Sequence, residues 1–241
     1  MTGTEIGLEQ IVELENQLAD IKDVNVLLER ILAETRKIVN ADAGSIYEVD
    51  ESGKMLKIKF GQNDTQQKTL APGMKLPYTS FSFPINESSI AGYVASTFKT
   101  LNIKDCYELD KDLPFKFNIN PDLVSGYRTT SMFVVPLKSD NELLGVLQII
   151  NKKDENGQVV PFGEQDMLYI NHFANSAVSF LKNAYLTKDM VTRMNAMAAL
   201  RDPKETGGHV ERVSTYSLEI FDRWAYNHNI NLEDSQEFRS N

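Results

Sequence analysis

The sequence of 241 residues is long enough for one full domain and part of a second. Its 25 Lys and Arg against 34 Asp and Glu leave a net charge of −9, which disfavours nucleic acid or an anionic membrane surface as the main partner. Cys106 is the single cysteine, the polar start MTGTEIGLEQ is unlike a signal peptide, and no apolar run reaches the ~20 residues of a membrane span; these features point to a cytoplasmic protein.

Residues 6 to 39 carry helical periodicity. Leu8, Ile11, Leu14, Leu18 and Ile21 recur at three and four, and Val24, Leu27, Leu28, Ile31, Thr35 and Ile38 continue the stripe beyond Asp23. The period then becomes two. Ala43 to Val49 reads as a strand, Asp50 to Gly53 as a turn, and Met55 to Phe60 as a second strand with Leu56, Ile58 and Phe60 on one side. From Gly61 to about Lys75 no period is evident, as in a loop. NESSIAGYVAST, from Asn86, is a short helix opened by capping residues. Thr100 to Ile103 suggests another strand. Asp105 to Ser125 reads as irregular, with Pro114 and Pro121 opposing regular structure. Two strands, Ser131 to Leu137 and Leu143 to Asn151, flank the turn KSDNE. A helix without Gly or Pro then runs from about Gly163 to Arg201, about 57 Å at the α-helical rise and too long for the surface of one small domain. This order predicts an α+β fold, an antiparallel sheet with helices mainly on one face.

Several segments together resemble a known family. GSIYEVD at 44 to 50, SSIAGYVAST at 88 to 97, LNIKD at 101 to 105, SGYRTTSMFVVPL at 125 to 137 and LLGVLQIINK at 143 to 152 resemble the GAF domains of cyclic-nucleotide phosphodiesterases and adenylyl cyclases. The family's signature is matched by Asn151, Lys152, Phe162 and Asp166, and departs where Met167 stands in place of Glu. Lys152 and Asp166 are expected to pair between a strand end and the start of the long helix, latching helix to sheet.

The resemblance implies a small-molecule pocket, with a cyclic nucleotide as the expected ligand. Ile90 and Ala91 lie in the first turn of the short helix, where free N–H groups and the helix dipole suit a phosphate. By resemblance, Ser45 and Phe60 meet the purine from the sheet floor. Asp122, Ser125 and Thr129 flank the ligand from a lid and the following strand, and Gln148 points inward. Gly61 falls near the place where relatives carry an acidic base-reading residue, which leaves cAMP against cGMP open. The plainer reading of Ser45, Thr129 and Gln148 is that they are buried polar groups satisfied by backbone.

In the long helix, Ile170, Phe173, Ala177, Phe180, Ala184, Thr187, Val191, Met194 and Ala198 keep heptad spacing, the pattern of a parallel coiled coil and hence of a homodimer. Beyond it, residues 195 to 224 resemble the first helices of HD-type metal phosphohydrolases near the HD-GYP group. A Gly-Gly pair is expected to break the backbone just before His209, where a new amphipathic helix begins, and Val210, Val213, Ser217, Ile220, Phe221 and Trp224 form an apolar face. By resemblance His209 is one metal ligand, with Arg212 beside it. A catalytic metal site needs several converging ligands, whereas the other histidines are His172 and His228 and no His-Asp dipeptide occurs. The expected organisation is an N-terminal helix (1–23), a GAF sensory domain (24–182), a coiled-coil linker (183–200) and an incomplete start of an HD-type domain (201–241). No catalytic residue and no cofactor are expected in this chain, and a divalent metal only in a complete HD domain. Two rival readings are a metal-dependent phosphohydrolase in its own right and a dimerisation or interaction platform with an empty pocket.

Overall fold

In the computed structural model, residues 8–21, 23–70, 82–140, 142–201 and 206–227 are described. Two helices open the chain, α1 (Leu8–Ala19) and α2 (Val24–Ile38). Asp23 separates them and caps α2, its carboxylate accepting from the N–H groups of Asn25 at 2.7 Å and Val26 at 3.1 Å. The strands β1 (Ala41–Val49) and β2 (Met55–Asn63) follow as a hairpin. Then come the single turn α3 (Asp64–Gln67), β3 (Ser82–Pro84), α4 (Ile90–Thr97), β4 (Leu101–Ile103) and α5 (Asn120–Ser125). The chain continues through β5 (Met132–Ser139), β6 (Glu142–Lys153), β7 (Val159–Val160), α6 (Glu164–Arg201) and α7 (Thr206–Asn227).

All strand pairs are antiparallel, in the order β3-β2-β1-β6-β5-β4, with β7 on the far end of β6. The sheet separates two apolar layers. One face carries α1, α2 and the first half of α6, with Leu18, Leu28, Ile31, Leu32, Ile170 and Phe173 buried against Ile46, Phe133, Leu147 and Ile149. The other face carries α4, with Ile90, Val94 and Ala95 against Val134, Val146 and Leu56. Helices thus lie on both faces. Close approach fixes one glycine: a Cβ on Gly145 of β6 would sit 2.1 Å from the Tyr47 carbonyl oxygen of β1.

Several expectations are corrected. Phe60 leaves the face of Leu56 and Ile58 because a bulge interrupts the hairpin. Ile46 pairs with Phe60 while its neighbour Tyr47 pairs with Ile58, so Lys59 is the extra residue and the alternation is reset. Phe60 therefore packs with Ile46 on the α2 side. The stretch from Gly61 extends the strand to Asn63 and turns into α3, with residues 71–75 outside the described residues. Pro121 does not forbid helix: it occupies the first turn of α5, where a missing N–H costs nothing. The glycine pair lies inside the first turn of α7, which begins at Thr206.

The chain divides into two compact units, Met1–Leu181 and Lys182–Asn241. Within the second, the outer half of α6 exposes Leu186, Met190, Val191 and Met194, and α7 exposes Val213, Ile220 and Trp224.

Candidate ligand cavity

A cavity of about 610 Å³ opens on the sheet face opposite α2 and α6, within the range of small-molecule sites. Its floor is β1, β2, β5 and β6. Inward positions two apart on β1, Ala43, Ser45 and Tyr47, line it beside Ile58 and Asn63 of β2, Met132 of β5, and Gln148 and Ile150 of β6. Its roof is α5 and the segments flanking it, contributing Phe117, Asn118, Pro121, Asp122, Val124, Ser125, Tyr127 and Thr129.

Of the residues expected at the ligand, the structure brings Ser45, Asp122, Ser125, Thr129 and Gln148 to this one cavity. It does not bring Phe60, which the bulge turns to the other face. Ile90 and Ala91 are also absent from the lining among the described residues. Their side chains are buried in the α4 layer, and the chain around Lys116 lies over the start of α4, its N–H donating to the Ser88 carbonyl at 3.2 Å beside a bridge to Ser89. The turn is capped internally by Ser89, whose hydroxyl accepts from Gly92 N–H at 3.1 Å.

The roof is tied down by buried polar groups. The Asp122 carboxylate accepts from Thr129 N–H at 2.7 Å, Thr129 hydroxyl at 2.9 Å and Tyr107 hydroxyl at 2.8 Å. The Tyr107 ring in turn carries the Arg128 guanidinium 4.2 Å above its centre, and the bond to Asp122 raises the Tyr107 hydroxyl above its ordinary value. Asn151 holds the same segment from the sheet. Its amide accepts from Thr130 N–H at 2.7 Å and donates to the Arg128 carbonyl at 2.7 Å and the Tyr127 hydroxyl at 2.9 Å. It does so from a left-handed backbone, φ 56°, which Asn tolerates better than most residues.

The two residues after Asn151 each hold a different element. Lys152 pairs with Asp166 of α6, whose carboxylate also accepts from Gly163 N–H at 2.7 Å and so closes the helix start. Phe162 is buried against Phe133, and its carbonyl accepts from Asn102 at 3.0 Å. Lys153 pairs with buried Asp42. Burial alone would raise the Asp42 carboxyl, but Lys153, Thr65 and Tyr127 hold it below its ordinary value. Nearby, buried Arg36 binds the Asp42 carbonyl at 2.7 Å, Gln62 at 2.8 Å and Asp64 at 2.6 Å.

On the floor, the Tyr47 hydroxyl donates to Gln148 Oε1 at 3.1 Å, and burial pushes its pKa up to about 12. Burial likewise pushes the Cys106 thiol up to about 12, which makes it a poor nucleophile. Asp122 is the one acidic side chain lining the cavity among the described residues, and no Lys, Arg or His lines it there. No cluster of three His, Cys, Asp or Glu suited to a metal occurs among the described residues. The side chain of His209, in α7, and His228 lie outside them, as does the side chain of Ala198.

Ala43, Tyr47 and Ile150 follow from Ser45 and Gln148 by strand period two, a signal present in the sequence. Asn63 had none, since nothing marks where β2 ends.

A single antiparallel sheet between helical layers, with a roofed cavity on one face, defines an α+β pocket domain. The sequence profile of the GAF domain matches residues 23–179, and the chain belongs to the GAF domain family. Over 182 residues it is 31% identical to a cGMP-specific 3′,5′-cyclic phosphodiesterase of Drosophila melanogaster, covering 74% of this chain and 15% of that protein. A Drosophila ananassae protein of the same description is 30% identical over 180 residues, with the same coverage. This chain thus spans a small part of the curated relatives it matches. The same fold occurs in the GAF domain of a phosphoenolpyruvate-protein phosphotransferase from Coxiella burnetii (TM-score 0.57, 16% identity, 76% of this chain and 96% of that one). It occurs also in free methionine-R-sulfoxide reductase from Neisseria meningitidis, solved with its substrate (TM-score 0.54, 19% identity, 73% and 89%). Among the described residues, no helix is long and apolar enough to cross a membrane.

Proposed function

We infer that the chain is a regulatory sensor module that binds a cyclic nucleotide in the cavity between sheet and α5 and passes the signal along α6. The observation that carries this reading is the convergence of Ser45, Asp122, Ser125, Thr129 and Gln148, from β1, α5, the segment after it and β6, on one cavity of about 610 Å³. Homology to phosphodiesterases named for cGMP supports the ligand class. The charge of the lining favours a cyclic phosphate, with one negative charge, over an open monophosphate with nearly two. Ligand-binding residues are Ser45, Asp122, Ser125, Thr129 and Gln148.

The module acts as a homodimer through the outer half of α6, where Val191 and Met194 are 51% and 66% exposed. Its output is an HD-type metal phosphohydrolase domain beginning near residue 201, to which His209 contributes one ligand. Support for this is the resemblance of residues 195 to 224 and the apolar face that α7 exposes.

The test is calorimetry of ligand-free protein with cAMP, cGMP and their 5′-monophosphates. Binding of a cyclic form, tighter than its open counterpart, is expected, with stabilisation of about 2.7 kcal/mol at a hundred times the dissociation constant. Absence of binding below millimolar by either cyclic form overturns the reading.

A further inference from the structure

The cavity and α2 lie on opposite faces of the sheet, yet one buried residue is bonded to parts of both. Asp42 is 4% exposed and sits at the start of β1, just beyond the end of α2. Toward the cavity, its carboxylate accepts from the Thr65 hydroxyl of α3 at 2.9 Å and from the Tyr127 hydroxyl. Tyr127 lines the cavity from the roof, and the chain around α3 forms another wall through Gln66 and Thr69. Two walls of the cavity are therefore fastened to the same carboxylate.

Toward α2, Asp42 is paired with Lys153. The main chain of Lys153 is joined to Asn40, where α2 has just ended. Its N–H donates to the Asn40 carbonyl at 2.8 Å, and its carbonyl accepts from the Asn40 side-chain amide at 2.7 Å. Arg36, in the last turn of α2 and 6% exposed, donates to the Asp42 carbonyl at 2.7 Å. The same guanidinium reaches Gln62 and Asp64 at the junction of β2 and α3. Arg36 and Lys153 thus meet Asp42 and Asp64 in one cluster. Asp42 and Arg36 are buried, so moving a partner away from either leaves its charge uncompensated, and the parts of the cluster rearrange together. Arg36 Nε is buried with no partner among the described residues, a donor left for a second arrangement to satisfy.

We propose that Asp42 couples the cavity to α2, so that a nucleotide drawing in the roof and the α3 wall also tightens the last turn of α2. The proposal rests on the cavity being the nucleotide site.

Hydrogen exchange of the full chain tests it, without nucleotide and with cGMP or cAMP at a hundred times the measured dissociation constant. Gly126 N–H, bonded to the Asp122 carbonyl, reports on the roof. Val39 and Asn40 N–H, bonded to the Thr35 and Lys37 carbonyls at 3.2 Å, report on the end of α2, and Leu27 N–H at its start is the control. An amide that opens only in ligand-free protein slows by up to about a hundredfold at that concentration. Gly126, Val39 and Asn40 should slow together by about tenfold or more, while Leu27 changes less than about twofold. Tyr127→Phe keeps the ring in the roof and removes the hydroxyl that reaches Asp42. Arg36→Lys keeps the charge and removes the fork that spans α2, β1 and α3. At a hundred times its own dissociation constant, each variant should keep the Gly126 response and lose that of Val39 and Asn40. A merely structural role would change exchange with and without nucleotide alike and leave the response in place. Val39 and Asn40 unmoved by a nucleotide that protects Gly126, or a response that survives in either variant, overturns the coupling and leaves the cavity as the nucleotide site. Failure of both nucleotides to bind overturns the site itself, and the coupling with it.

Discussion

Replacing Asp122 with alanine removes the acceptor that holds the cavity roof to the start of β5. Thr129 is buried, and its N–H and hydroxyl both point at Asp122, at 2.7 and 2.9 Å. Each left without a partner costs about 1–3 kcal/mol, so Asp122→Ala should destabilise the domain by about 2–6 kcal/mol. The Tyr107 hydroxyl can turn to water and adds nothing to that sum. For a domain of this size the loss corresponds to a fall in Tm of roughly 4–24 °C. Asp122→Asn is the control. Its oxygen can take the Thr129 N–H while its NH2 donates to the Thr129 hydroxyl oxygen, so most of the stability should remain. Thermal unfolding followed by circular dichroism gives the global effect. Hydrogen exchange at Gly126, whose N–H donates to the Asp122 carbonyl at 2.8 Å, reports whether α5 loosens first. An Asp122→Ala protein that melts within a degree of the parent, with α5 exchange unchanged, would refute the latch.

Acid stability should depend on Asp42. Its folded pKa lies below the ordinary 3.8, so its contribution is present above that value and is lost as pH falls through the folded value; Asp42→Asn should be less stable near neutrality and flatten this acid limb in pH-dependent denaturation. Gly145→Ala forces a Cβ to within 2.1 Å of a backbone oxygen and should cost about 3 kcal/mol or more, read as a lower denaturant midpoint, whereas Gly53→Ala, in an open turn with φ 69°, should cost only about 1 kcal/mol. Val191→Glu with Met194→Glu should convert a dimer into a monomer in light scattering, and a monomeric parent protein would rule out the α6 seam.

Where one periodicity ran unbroken, it was legible. The strands around 131–137 and 143–151 were legible as apolar runs on either side of a polar turn, and the helix to Arg201 by heptad spacing, of which Ile170, Phe173 and Ala177 pack against the sheet. The floor of the cavity was half legible, because placing Ser45 inward also places Ala43 and Tyr47 inward. Phe60 was not, since the bulge at Lys59 is a property of the pairing between two strands and leaves no mark in either strand alone. Ile90 and Ala91 were read from a helix start that does exist; what covers it is the chain near Lys116, a contact from 27 residues away that no local pattern encodes. The roof helix was hidden by Pro121, which is compatible with a first turn as readily as with a loop. The roles of Asp122 and Asn151 in tying the roof down depend on partners brought together only by the fold.

The proposed ligand site lies between the sheet and α5. Titrating a cyclic nucleotide into isotope-labelled protein, and following the backbone amides of Ser45, Ser125, Thr129 and Gln148 with the side-chain NH2 groups of Asn63 and Gln148, tests it most directly. Saturable shifts of these resonances with one common dissociation constant are predicted, while amides on the opposite layer, such as those of Leu28 and Phe173, stay in place. Shifts that bypass the cavity and cluster elsewhere, or no saturable shift at all, would contradict the account.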